Sequence, residues 1–96
     1  MLHAFVLIEA DPPRIAGLAS QLAALEGVSE AYSVAGQSAD IVAVIRVRDN
    51  GELAELVTGP ISRLEGIRST STLIAFRAHS RHDLDAMFDL GGGDPS

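Results

Sequence analysis

Apolar residues recur along this chain with two periods. Leu2, Ala4, Val6 and Ile8, and later Ile41, Ala43, Ile45 and Val47, fall on every second position, which places them on one face of a strand. Ile15, Leu18, Leu22 and Leu25 recur at three- and four-residue spacing, which makes one face of a helix. Breaks separate these patterns. The chain therefore reads as a strand over Leu2–Ala10, stopped by Asp11-Pro12-Pro13, and a helix from Arg14 to Glu26 that Asp11 caps and Gly27 ends. Next come an alternating strand over Val28–Val34, a turn at Gly36–Ala39 and a strand over Ile41–Arg48. Asp49 or Asn50 caps a second helix carrying Leu53, Leu56, Val57, Ile61 and Leu64. Gly59-Pro60 should kink or break that helix, because proline removes a hydrogen bond and clashes with the preceding turn. Ile67–Ala78 is a fourth strand.

The tail, residues 81–96, stands apart from a domain spanning 1–80. Leu84, Met87 and Phe88 are spaced for one or two helical turns. They form either a lid on the chain's own core or an arm onto a neighbouring subunit, and the arm is the favoured reading. Gly91–Ser96 should be disordered.

The chain repeats itself. Leu25-Glu26-Gly27-Val28 returns as Leu64-Glu65-Gly66-Ile67, 39 positions on. The same offset lays the first strand on the third and the first helix on the second. Two βαβ halves in tandem give an α+β, ferredoxin-like βαββαβ fold: a four-stranded antiparallel sheet with two helices on one face.

The other face then carries Phe5, Leu7, Val42 and Val44 on the two central strands. Burying four such side chains from each of two copies is worth very roughly 12–24 kcal/mol gross, against about 4–15 for association. The sheet faces should pair in a homodimer. The alternative is that the C-terminal tail covers them.

Composition narrows the function. Ninety-six residues make one domain, 47% hydrophobic and 4% aromatic, with no cysteine, which excludes disulfides and thiolate metal sites. The longest apolar runs fall well short of the ~20 residues a membrane span needs. Met1–Ala10 has no basic leading region or small-residue cleavage site. A cytoplasmic location is expected. Net charge is −6, and all seven basic residues are scattered arginines. Direct nucleic-acid binding needs a clustered positive surface, so none is expected. No nucleophile–base pair, phosphate loop or cofactor motif is present, so neither catalysis nor a cofactor is expected. His3, His79 and His82 do not share a regular element, and no metal site is expected.

The turn is the best candidate for chemistry. Gly36 permits unusual backbone angles and close approach, turn N–H groups can hold a carboxylate, and Asp40 can pair with an ammonium group. Ser38, Thr70, Ser71 and Thr72 offer hydroxyls. The plainer alternatives are an ordinary hairpin turn at Gly36–Asp40 and an ordinary strand with a solvated face at Thr70–Thr72.

The order strand, helix, Leu25-Glu26-Gly27-Val28, strand, then Gly36 and Asp40 in a turn before an apolar strand, then Gly66-Ile67-Arg68-Ser69-Thr70-Ser71-Thr72, resembles the effector-binding (RAM) domain of Lrp/AsnC, or feast/famine, transcription regulators. The resemblance covers residues 2–79. Ala75-Phe76-Arg77-Ala78 and Ser80-Arg81-His82-Asp83-Leu84 are similar to the ending of stand-alone members. It implies dimers formed through the sheets, rings of dimers, and a small effector, typically an amino acid, bound between dimers. The effector would meet Val34, Gly36, Gln37, Ser38, Asp40, Thr70, Ser71 and Thr72.

Two features depart from the family. Full-length regulators carry a DNA-binding helix-turn-helix that this sequence lacks, so the resemblance implies action through full-length Lrp/AsnC partners. The family turn usually reads Gly-x-x-Asp, whereas three residues separate Gly36 from Asp40 here. Two other readings share the fold: an ACT-like regulatory domain, loosely matched by Asp11-Pro12-Pro13 and Ile15-Ala16-Gly17-Leu18-Ala19, and a small dimeric α+β barrel enzyme.

Overall fold

Strand β1, Leu2–Ala10, runs through the middle of a four-stranded sheet. The computed structural model describes residues 1–79 and Arg81. The expected helical turns around Leu84, Met87 and Phe88, and the glycine-rich end, lie outside the described residues.

After β1 come a 3-10 turn at Pro12–Arg14, helix α1 (Ile15–Ala23), β2 (Val28–Ser33), β3 (Ile41–Val47), helix α2 (Asn50–Thr58), a second 3-10 turn at Ile61–Arg63, and β4 (Ile67–Ile74). The sheet order is β2-β3-β1-β4 with every neighbouring pair antiparallel. This is the expected ferredoxin-like plan.

The two-residue period sorts the faces as expected. Ala4, Val6, Ile8, Ile41, Ala43, Ile45 and Val47 are buried with Leu18 and Leu22 of α1 and Leu53 and Leu56 of α2. The tandem halves also hold locally. Among the described residues Gly27 and Gly66 are the positive-φ glycines, both at φ 96°.

Several boundaries differ from expectation, each for a local reason. α1 begins one residue late, because Pro12 and Pro13 hold the entry in a tighter 3-10 turn. Asp11 makes no side-chain cap there; its carboxylate meets Arg68 Nε at 3.1 Å instead. Asp49 does cap α2, its Oδ1 accepting from Glu52 N–H at 2.9 Å. The second helix breaks at Gly59, as the Gly-Pro pair implied, and resumes as the 3-10 turn. β2 ends at Ser33, and β4 ends at Ile74, four residues short of the expected Ala78.

A register shift between Val28 and Glu30 interrupts β2. It leaves Val28, Ala31 and Ser33 opposite the core-facing Ile45, Ala43 and Ile41. Glu30 and Tyr32 turn to the open face, opposite Val44 and Val42. Simple alternation across the whole strand would have put Val28 and Tyr32 on the same side.

Candidate functional site

Two surfaces gather the residues singled out by sequence: the loop between β2 and β3, and the sheet face away from the helices.

The loop is exposed and anchored. Val34, Ala35, Gly36, Gln37 and Ser38 are all exposed. Val34 N–H donates to Asp40 O at 2.9 Å, and Asp40 N–H donates to Ile8 O at 2.8 Å. Ala39 points inward and is only 7% exposed. Asp40 Oδ2 accepts from Ala10 N–H at 2.9 Å. The carboxylate thus satisfies a backbone donor at the buried end of β1, which would otherwise carry the cost of an unpaired polar group. Sequence reasoning missed this second role, since nothing local links Asp40 to a residue 30 positions earlier.

Gly36 behaves differently from the expectation. Its backbone is not in the left-handed region. A Cβ placed there would meet nothing within 4 Å. The fold of one chain makes no demand for glycine here, and open space lies in front of it.

Thr70, Ser71 and Thr72 do not form one surface. Strand register sets Thr70 opposite Ile8 and Thr72 opposite Val6, on the helix side of the sheet. Ser71 lies opposite Leu7 on the open side. β1 separates this run from β3. Thr70 shares a cross-strand row with Ile8 and Ile41 and so lies nearest the loop. All three residues are exposed. A shallow groove of about 390 Å³ runs along α1, lined by Pro13, Arg14, Gly17, Leu18 and Gln21.

The middle of the open face is built from two cross-strand rows, flanked by His3 with Arg46 and by Glu9 with Ser69. One holds Glu30, Val44, Phe5 and Leu73; the other holds Tyr32, Val42, Leu7 and Ser71. Phe5, Leu7, Val42 and Val44 therefore form one contiguous apolar patch, as the repeat implied. The Tyr32 hydroxyl donates to Glu30 at its rim. That hydrogen bond, reinforced by the Glu30 charge, raises the Tyr32 phenol above its ordinary pKa.

The patch is less exposed than its sequence implies. Phe5 is 38% exposed, and Leu7, Val42 and Val44 are half-buried. The 12–24 kcal/mol figure holds for fully exposed side chains. Scaled by Phe5's open fraction, the largest of the four, the gross gain is at most about 5–9 kcal/mol, inside the ~4–15 that association costs. These four residues alone do not secure a dimer.

Among the described residues no group of three or more His, Asp or Glu side chains is placed to hold a metal. No described helix is long and apolar enough to cross a membrane.

Comparison with known proteins identifies this arrangement. Residues 3–84 match the model of the Lrp/AsnC ligand binding domain. An uncharacterised HTH-type transcriptional regulator of Pyrococcus abyssi is 35% identical over 71 residues, covering 74% of this chain and 44% of that protein. The chain thus spans less than half the length of that relative. A crystal structure of a Thermus thermophilus protein is 46% identical and superposes with a TM-score of 0.78, covering 84% of this chain and all of the other. A feast or famine regulatory protein of M. tuberculosis, complexed with L-methionine, is 29% identical with a TM-score of 0.68. That match covers 84% of this chain and 54% of the regulator.

The matching family is a regulatory effector-binding domain, neither a catalyst nor the ACT alternative. With its βαββαβ sheet, its paired Gly27 and Gly66 and the match over residues 3–84, the chain belongs to the Lrp/AsnC ligand-binding domain family.

Proposed function

We propose that this chain is an effector-binding and oligomerisation module. Two copies pair through their open sheet faces, at Phe5, Leu7, Val42 and Val44. The dimers assemble further into a ring. An amino acid or related metabolite binds where a neighbouring dimer closes over the Val34–Asp40 loop. One observation carries the reading: the loop is exposed along Val34–Ser38 yet tied down at Ala39 and Asp40. An ordered loop with open space before Gly36 is a half-site that a neighbour can complete. The methionine bound by the M. tuberculosis relative supports an amino acid as the ligand class.

In this reading the turn N–H groups receive the ligand carboxylate. The Asp40 oxygen not engaged by Ala10 receives its ammonium. Val34, Gln37 and Ser38 line the same loop, and Thr70, Ser71 and Thr72 contribute from β4 of the same or a neighbouring copy. The module modulates transcription in the cytoplasm by co-assembling with full-length Lrp/AsnC regulators, without touching DNA itself.

A thermal-shift screen against the amino acids, run beside light scattering, tests the ligand. A compound that binds the native oligomer raises its melting temperature. No shift at millimolar concentration with any amino acid rejects that ligand class. Val44→Asp tests the pairing: it should dissociate the dimer by placing a charge at the centre of the face. Unchanged mass in the variant rejects sheet-face pairing. Failure of the purified protein to associate with any full-length relative from the same cell rejects co-assembly.

A further inference from the structure

We propose that the chain's own C-terminal segment, residues 81–90, seats on the helix side of β4 as a third helix, with Leu84, Met87 and Phe88 over Ile74 and Thr72. The proposal does not depend on sheet-face pairing, which uses the opposite side of the sheet.

Two helices leave one strand bare. α1 packs on β2 and β3, and α2 on β3. Beneath the helix layer Ala4, Val6 and Ile8 of β1 are fully buried. β4 rests on β1, and its helix side carries Thr70, Thr72 and Ile74, opposite Ile8, Val6 and Ala4. All three are exposed, Ile74 at 52%. Among the described residues, then, cover stops at β1. The repeat sharpens the contrast. On the other edge strand Val28 is buried and Ala31 half-buried. Their counterparts 39 positions on are Ile67, half-buried, and Thr70, exposed.

The bare strip turns apolar toward its end. Thr70 and Thr72 give way to Ile74 and, two positions on, to Phe76, which is fully exposed. Exposed apolar positions of this kind are avoided in soluble proteins unless something meets them. Covering an edge strand with a helix is one of the ways proteins keep it from pairing with strangers.

Continuity selects the chain's own tail as the occupant. The tail leaves the sheet at this strip. Ala75 N–H still donates to His3 O at 2.9 Å, and Arg81 is already helical. Residues 76–80 span at most about 17 Å when extended, and packed layers sit about 8–10 Å apart, so the linker is long enough to turn back onto the helix layer. The sequence beyond it suits the place. Leu84, Met87 and Phe88 share one face of a helix, while Asp85 and Asp89 fall on the other. Lengths agree as well. Leu84 to Phe88 rises about 6 Å, close to the ~6.6 Å between alternate residues of a strand, so Leu84 stands over Ile74 and Phe88 over Thr72. Thr70, nearest the β2–β3 loop, stays open.

The chain has no tryptophan, so Ile74→Trp gives a single-site reporter. Its emission should be blue-shifted, hold its position on dilution, and move to the red when Leu84→Ser and Phe88→Ser are added to the same chain. Solvent-like emission without the serines overturns the proposal, and so does a blue shift that survives them or one that is lost on dilution. The chain also has no cysteine, so Thr72→Cys with Asp85→Cys and a short bismaleimide tells which chain holds the segment. This pair leaves Ile74 in place and so stands even if the tryptophan disturbs the strand. Crosslinks within one chain, read by mass after denaturation, are expected. Crosslinks between chains make the segment an arm onto a neighbour and overturn the proposal, as does the absence of any crosslink when both thiols react.

Discussion

Gly27 and Gly66, 39 positions apart, hold the same backbone conformation at φ 96°. Each ends the turn that leads from a helical segment into an edge strand. Each also faces the other half of the molecule. A Cβ at Gly27 would lie 3.2 Å from side-chain atoms of Leu56 and Val47, and one at Gly66 would lie 2.9 Å from Arg14 Cβ. Side chains at such φ values cost about 1–3 kcal/mol. Gly66→Ala should be the worse of the two, because Arg14 Cβ is fixed to the backbone of the 3-10 turn and cannot swing aside. Gly36→Ala, with no positive φ and no contact to make, should change stability by less than about 1 kcal/mol. Urea unfolding midpoints of the three variants check the ranking. A Gly36 variant as damaged as the other two would show that the loop is tighter than described.

The repeat made most of this fold legible. Period-two and helical spacings found the core residues, and the matched Leu-Glu-Gly segments found the tandem halves. The faces of β1 and β3 followed directly, because one period runs unbroken through each. β2 was harder, since the irregularity after Val28 reverses its alternation and no residue type announces it. The loop was legible as a turn but not as an anchor. Asp40 and Ala10 meet only because β1 and β3 lie side by side, a relation that exists in the folded sheet alone. Exposure was the least legible quantity. Val42 and Val44 look like free surface in the sequence and are half-covered in the structure.

Asp40 separates structure from ligand chemistry. Asp40→Ala would leave the Ala10 N–H unpaired at a position only 1% exposed, costing about 1–3 kcal/mol. Asp40→Asn keeps an acceptor oxygen for that N–H and removes the charge. It should unfold close to wild type in urea. Its affinity for the effector found by thermal shift should fall roughly tenfold or more, since hydrogen bonds to charged groups are worth ~1.5–3 kcal/mol. Unaltered affinity in Asp40→Asn, read by calorimetry, would remove Asp40 from the ligand contacts.

Helix α2 starts on a pair of acids with separate duties. Asp49 accepts from Glu52 N–H, and Asp49→Ala should cost about 0.5–2 kcal/mol. Glu52 reaches back to Arg48, accepting from its backbone N–H at 3.0 Å and from Nε at 2.6 Å. The backbone hydrogen bond first, then the side-chain one, holds the Glu52 carboxyl below its ordinary range. A carboxyl depressed in the folded state contributes stability above its unfolded value, near 4.5. That contribution is lost as pH falls through the lower folded value. Chemical denaturation at pH 7 and at pH 3 should therefore show a smaller difference in Glu52→Gln than in wild type. Equal differences would mean the Arg48 contacts do not persist in solution.

Tyr32 offers a view of the open face with no competing signal, because it is the only tyrosine and the chain has no tryptophan. The hydrogen bond to Glu30, then the Glu30 charge, raise its pKa above 10.0. A phenol raised in the folded state stabilises that state below the unfolded value of 10.0. The contribution disappears as pH rises through the higher folded value. Phenolate absorbance in an alkaline titration should therefore show a midpoint above 10.0 in the native protein, and Glu30→Gln should bring it down. The same titration reads assembly. Tyr32 shares a row with Val42 and Leu7, so a partner over that row shields the phenol further from water and disfavours the phenolate. Val44→Asn, which adds no charge beside Glu30, should, if it releases the partner, lower the midpoint toward the Glu30-only value. A midpoint unaffected by both substitutions would place Tyr32 outside the paired face and break its link to Glu30.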